Sequence, residues 1–128
     1  MKKEIEYEKL FNILTTILPK KWSKAMLFAV YDGNSYIMKY YFKKDLKATY
    51  RDGETANIAT DKKVIETFLE IDKEISAVRD KLNSKDKWSI MALELTNDRT
   101  FKVFYGYENV EGRELEVINE LEQKFIKN

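Results

Sequence analysis

Glu66, Glu70 and Glu74 stand four residues apart in the run "ETFLEIDKE". On a helix this spacing lines three carboxylates along one side, and neighbours in such a row repel. A basic partner turns that repulsion into attraction. Lys62, Lys63 and Lys73 lie close enough in sequence to soften it, as on an ordinary solvated face. A second constellation is "YIMKYYFKKDLKATY", Tyr36 to Tyr50, with four tyrosines and four lysines. Rings interleaved with cations can stack on single-stranded nucleic acid, anchor a protein interface or wall a core.

Carboxylates also work in pairs as acid and base on a glycoside, or hold a hard cation. Glu94 and Glu108 adjoin strand-like segments, but nothing sets one pair apart among 22 acidic residues. Histidine and cysteine are both absent. Their absence removes imidazole acid–base chemistry, thiol nucleophiles and Cys/His metal sites. With only four glycines there is no Walker loop and no G-x-G-x-x-G, and no D-x-D-x-D-G calcium loop is present. The expectation is a protein that binds and does not catalyse, with no cofactor and no metal.

The elements decide which side chains are available. In a strand, Tyr36, Met38, Tyr40 and Phe42 share one face, while Ile37, Lys39, Tyr41 and Lys43 share the other. The first set reads as core and the second as wet. Tyr36 and Tyr40 then support the core, and Tyr41 and Tyr50 are surface anchors. The expected partner-binding set is Glu66, Glu70, Glu74, Tyr41 and Tyr50.

Along the chain, Tyr7, Leu10, Phe11, Leu14, Ile17 and Leu18 recur at helical spacing, limited by Pro19. Two strands follow around Asp32-Gly33-Asn34, whose residues tolerate positive φ. "LKATYRDGE" offers a short third strand ending at Asp52-Gly53. Thr60 is an N-cap for a helix of about six turns with Ile65, Phe68, Leu69, Ile75, Val78 and Leu82 as its apolar stripe. A second hairpin turns at Asn97-Asp98-Arg99. A last helix puts Leu115, Ile118, Leu121 and Phe125 on one face, with Trp88 and Phe101 buried beside it. This order predicts an α+β fold: a single antiparallel sheet built from two hairpins, with N-terminal, middle and C-terminal helices packed on it. Met26, Phe28 and Val30 alternate with Ala25, Leu27, Ala29 and Tyr31, which fits a central strand covered on both faces.

Length suits one domain over residues 1–128. Apolar residues make up 44% and charged residues 35% of the chain. No run approaches the ~18 apolar residues of a membrane span, and the lysines at the start lead into no signal-peptide core, so a cytoplasmic protein is expected. The net charge of +1 hides an asymmetry: 11 basic against 6 acidic residues in 1–53, and 12 against 16 in 54–128. A nucleic-acid-binding domain built on the basic, tyrosine-rich first half is the alternative reading. A clear basic excess, the usual mark of that class, is missing. No feature specifies an oligomeric state.

Three landmarks occur in a recognisable order. "ILPKKW" (Ile17 to Trp22) closes the first helix, "KWSIMALEL" (Lys87 to Leu95) heads a strand with tryptophan, and "RTFKVFYGYENV" (Arg99 to Val110) is a turn followed by a phenylalanine-led strand. With the tail "ELEVINELEQKFIK", the chain resembles the YezG-like, or EsaG-like, antitoxin family of Gram-positive bacteria. The resemblance implies a small cytosolic immunity protein made beside a large LXG-type toxin of type VII secretion. It implies binding to the toxin's C-terminal domain, commonly a nuclease, and no catalysis.

Overall fold

The computed structural model describes residues 5–33 and 35–127. Helix α1 (Tyr7–Leu14) runs into a 3-10 turn at Thr15–Ile17. Strands β1 (Lys24–Asp32) and β2 (Ser35–Lys43) form the first hairpin, followed by a two-residue strand β3 (Arg51–Asp52). Helix α2 (Asp61–Arg79) precedes the second hairpin, β4 (Ile90–Thr96) and β5 (Phe101–Gly106). Helix α3 (Glu114–Leu121) ends in a π turn at Glu122–Ile126. The sheet order is β3-β2-β1-β4-β5, antiparallel throughout. This is the α+β arrangement expected. Gly33 takes φ +61° in the first turn; Asn34 of that turn lies outside the described residues.

β1 sits at the centre because both its faces are apolar. Ala25, Leu27, Ala29 and Tyr31 join the core under α1 and α2, and Met26, Phe28 and Val30 join a second core under α3. The sheet is therefore the middle of three layers. On β2, Met38, Tyr40 and Phe42 are buried on the α1/α2 side as expected, with Tyr36 packed half-buried beside them.

Other expectations are corrected. The buried face of α2 is Val64, Thr67, Phe68, Ile71, Ile75 and Arg79, whereas Ile65 is 59% and Leu69 54% exposed. The stripe through Val64, Phe68, Ile71 and Ile75 follows the helical repeat, and Ile65 and Leu69 lie about 100° around from it. The helix also stops at Arg79, short of Leu82. Arg79 is buried because its Nε donates to the Trp88 carbonyl at 2.7 Å and its guanidinium lies 4.6 Å from the Tyr31 ring centre.

On α3, Val117, Ile118 and Leu121 are buried, while Leu115 in the first turn falls outside the sheet's footprint and is exposed. Trp88 and Phe101 lie on the side of the sheet away from α3. Phe101 pairs with Leu95, whose side chain points toward α1, and its ring rests 6.1 Å from that of Phe11. Trp88 is buried against Tyr31, 5.5 Å between centres, and Tyr105, 5.2 Å. Strand parity, which alternates side chains between faces, decides the case of Phe101, whereas Trp88 precedes β4 and is placed by its contacts with Tyr31 and Tyr105.

Candidate partner-binding surface

α2 begins where the Thr60 hydroxyl accepts the Lys63 N–H at 3.1 Å, a capping contact that fixes the helix's start and so its rotation. Its outer face then presents Glu66 and Glu70, both exposed. The third glutamate differs: Glu74 is partly covered and its Oε1 lies 3.5 Å from Lys9 Nζ of α1. The row is thus divided into two solvated carboxylates and one held in an ion pair between helices. Ile65 and Leu69 stand beside Glu66 and Glu70, so this face is a mixed apolar and acidic surface.

Beside the N-terminal half of α2 runs a groove of about 620 Å³ whose lining includes Tyr36, Ile37 and Met38 of β2 and Val64, Ile65 and Phe68 of α2. It exists because β3 is only two residues long and pairs with β2 at Tyr41 and Phe42 alone. Glu54 and Asp61 also line it. Among the described residues no cation stands within ion-pair distance of either. Burial, then the charges of Asp52 and Asp61, push the Glu54 carboxyl above its usual range, against Lys39.

Tyr41 is not a surface anchor. It is 2% exposed, its ring centre lies 5.2 Å from that of Phe28, and its hydroxyl donates to Glu122 Oε2 at 2.5 Å. Burial first, and then the bond to Glu122, push its phenol well above the usual range. The supposed wet face of β2 fails because α3 and the π turn cover it. Tyr50 is half-buried on that same side, its phenol pushed up to about 12 by burial and by Glu94, with Lys43 Nζ 4.8 Å from its ring centre.

Where α3 leaves the sheet uncovered, Lys24, Lys43, Lys102 and Lys124 surround Tyr50, Phe104 and Phe125 in a groove of about 410 Å³. This is what the tyrosine–lysine run contributes to the surface, with help from distant β5 and the C-terminal π turn. Part of its charge is consumed in the fold: Lys24 binds Glu94 at 3.2 Å. Lys39, on β2 with Lys43, binds Asp52 at 3.0 Å; burial opposes, but that bond and the charge of Asp52 raise its pKa.

The carboxylates named for pairwise chemistry are not brought together. Glu108 lies two residues beyond Gly106, which pairs with Ile90, four residues along β4 from Glu94. At ~3.3 Å per residue this separation is roughly 13 Å, beyond the roughly 5–9.5 Å of glycosidase pairs. Glu94 is tied to Lys24, and Glu108 to Arg113 at 3.1 Å. Among the described residues no group of three or more acids converges as a metal site.

Sequence reasoning placed Glu66 and Glu70 correctly on an exposed helix face, but assigned their neighbours Ile65 and Leu69 to the core. It did not single out Glu54, since no motif marks a loop residue that packing brings beside a helix.

Among the described residues no helix is long and apolar enough to cross a membrane. No curated protein matches the chain. The profile of the family described as "Immunity protein YezG-like" matches residues 4–127, a span that includes every helix and strand above. The chain belongs to the YezG-like immunity protein family.

Proposed function

We propose that the chain is an antitoxin that binds and neutralises the C-terminal domain, a nuclease, of an LXG-type toxin secreted by the type VII pathway, and that it acts in the cytoplasm. Family membership supports the immunity role, which works through a cognate toxin partner. The observation that carries the mode of action is the outer face of α2. Ile65 and Leu69 are large apolar side chains left more than half exposed on a rigid helix, beside the solvated carboxylates of Glu66 and Glu70. Apolar contacts supply affinity at the centre of an interface, and carboxylates steer a basic partner toward it. Nucleases present basic clefts to their phosphate substrates, so the signs match. Glu74 shapes this face through Lys9, Tyr50 belongs to the opposite side of the sheet, and Tyr41 acts as a core residue.

Inhibition in this reading is steric: the chain occupies or distorts the toxin's cleft and supplies no reacting group. The test is co-expression with the C-terminal domain of the toxin encoded beside it. Restored growth and a complex that survives gel filtration are expected. Unabated toxicity together with no complex would overturn the reading.

A second reading rests on the groove formed by Lys24, Lys43, Lys102 and Lys124, whose aromatic walls suit a nucleic-acid strand. Filter binding across a salt series separates the two. A nucleic-acid binder loses affinity steeply as salt rises, whereas the antitoxin has little affinity at any salt.

A further inference from the structure

The outer edge of β2 is open over Ser35–Lys39. Gly53 N–H donates to the Tyr40 carbonyl at 2.8 Å, so the peptide groups of Tyr40 point away from β1. By the two-residue alternation of an antiparallel ladder, those of Tyr36 and Met38 point the same way. β3 reaches only Tyr41 and Phe42, and among the described residues no other strand flanks β2 on this side. Tyr36 and Met38 therefore present outward N–H and C=O groups that no strand among the described residues meets. The groove touches Tyr36 and Met38, whose side chains turn to one face, and Ile37, whose side chain turns to the other. A cavity that reaches all three reaches the backbone edge itself.

Its walls state what would lie there. Val64, Ile65 and Phe68 give it an apolar lining. Glu54 and Asp61 are two carboxylates without a paired cation among the described residues. An exposed strand edge is a template for an added strand, and natural proteins cover or blunt such edges. Here the stretch carries no proline and its one charge, Lys39, is engaged by Asp52. We infer that an extended, lysine- or arginine-bearing segment of the partner toxin docks here as an additional strand beside β2, its apolar side chains against Ile65 and Phe68 and its cation between Glu54 and Asp61. The inference rests on the antitoxin reading and specifies its contact. Backbone bonds would give affinity and the alternate side chains specificity. A second copy of the chain is the poorer occupant, because pairing β2 with β2 about a two-fold axis sets Glu54 and Asp61 against the same acids of the other copy.

The test measures amide hydrogen exchange of the chain alone and mixed with the C-terminal domain of the toxin encoded beside it. Slowed exchange at Tyr36 and Met38 is expected in the mixture. Ile65→Lys and Glu54→Lys alter exposed side chains, so melting temperatures near wild type are expected, and each should raise Kd by about tenfold or more. If the wild-type chain binds the toxin domain while Tyr36 and Met38 exchange unchanged and both variants bind normally, the docking edge lies elsewhere and the antitoxin reading survives. A dimer of the chain alone, seen by light scattering and abolished by Ile65→Lys, would make a second copy the occupant and overturn the inference. Failure of the wild-type chain to bind at all defeats the antitoxin reading and this inference with it.

Discussion

Raising the pH should unfold this protein cooperatively just above the range where free tyrosine ionises. Tyr31, Tyr40 and Tyr41 are 3%, 0% and 2% exposed. Burial is the first cause that pushes each of the three phenols up, Tyr40 to about 12 and the other two further. The hydroxyls of Tyr31 and Tyr41 also donate to carboxylates, Asp72 at 2.6 Å and Glu122 at 2.5 Å. A group whose pKa is raised by folding holds its proton longer in the folded state. Its contribution is complete below the unfolded value of about 10 and is lost as pH climbs from there toward the folded value. Each such tyrosine costs ~1.4 kcal/mol per pH unit in that window. Three together cost roughly 4 kcal/mol per unit, with smaller additions from the half-buried Tyr36 and Tyr50. A domain with an ordinary stability of about 5–15 kcal/mol then unfolds within roughly one to four units above pH 10. Circular dichroism and phenolate absorbance, followed together against pH, should show one shared steep transition. Tyr31→Phe and Tyr41→Phe should each remove about a third of the slope. Gradual ionisation of all eight tyrosines near pH 10 with the fold intact would refute the reasoning.

Trp88→Ala should cost on the order of 3–5 kcal/mol, because the indole fills the space between Tyr31, Tyr105 and Arg79 and its loss leaves a cavity; an unchanged melting temperature counts against the packing described. Glu66→Lys with Glu70→Lys should slow association with the toxin domain at low salt and matter less as salt rises, while Lys43→Glu with Lys44→Glu leaves the rate unchanged or faster; stopped-flow mixing at two salt concentrations checks both, and the reverse pattern would put the interface on the basic groove.

The fold was readable because each element carried its own period. β1 alternates two apolar sets and the two hairpins bracket the middle helix, so one sheet covered on both faces followed from pattern alone. A short third strand was also foreseen within "LKATYRDGE", ending at Asp52-Gly53, and Arg51–Asp52 is the part of it that pairs. The candidate site was readable only in part, and the reason is rotational. "KVIETFLE" places apolar residues at 64, 65, 68 and 69, wide enough for two rotations of the helix. Only contact with the sheet selects Val64 and Phe68 as core and turns Ile65 and Leu69 outward. Tyr41 was misjudged for a related reason. Alternation correctly gave it the face opposite Tyr40, but whether that face is wet depends on α3, more than 70 residues away in sequence. Its partner Glu122 lies 81 residues on, and no local pattern announces such a contact.

The net charge of +1 conceals two grooves of opposite local sign, one lined by Glu54 and Asp61 and the other by four lysines and Glu94. On the α2 side, Glu54, Asp61, Glu66 and Glu70 surround an open strand edge and two exposed apolar side chains. On the α3 side, Lys24, Lys43, Lys102 and Lys124 converge with only Glu94 among them. The sheet stands between, some 10 Å from the layer on either side, so at physiological salt the two surfaces are separated by more than a Debye length of ~8 Å. On the antitoxin reading, a basic partner would meet attraction at the first groove and repulsion at the second. Such an arrangement orients encounter even when total charge contributes almost nothing, because steering depends on the local field near the docking surface. The basic first half of the sequence, which suggested a nucleic-acid platform when read alone, supplies only Lys24 and Lys43 to this second groove, and Lys102 and Lys124 come from the second half. On the antitoxin reading proposed above, these four cations turn a basic partner away from the groove and toward the helix whose apolar residues remain exposed.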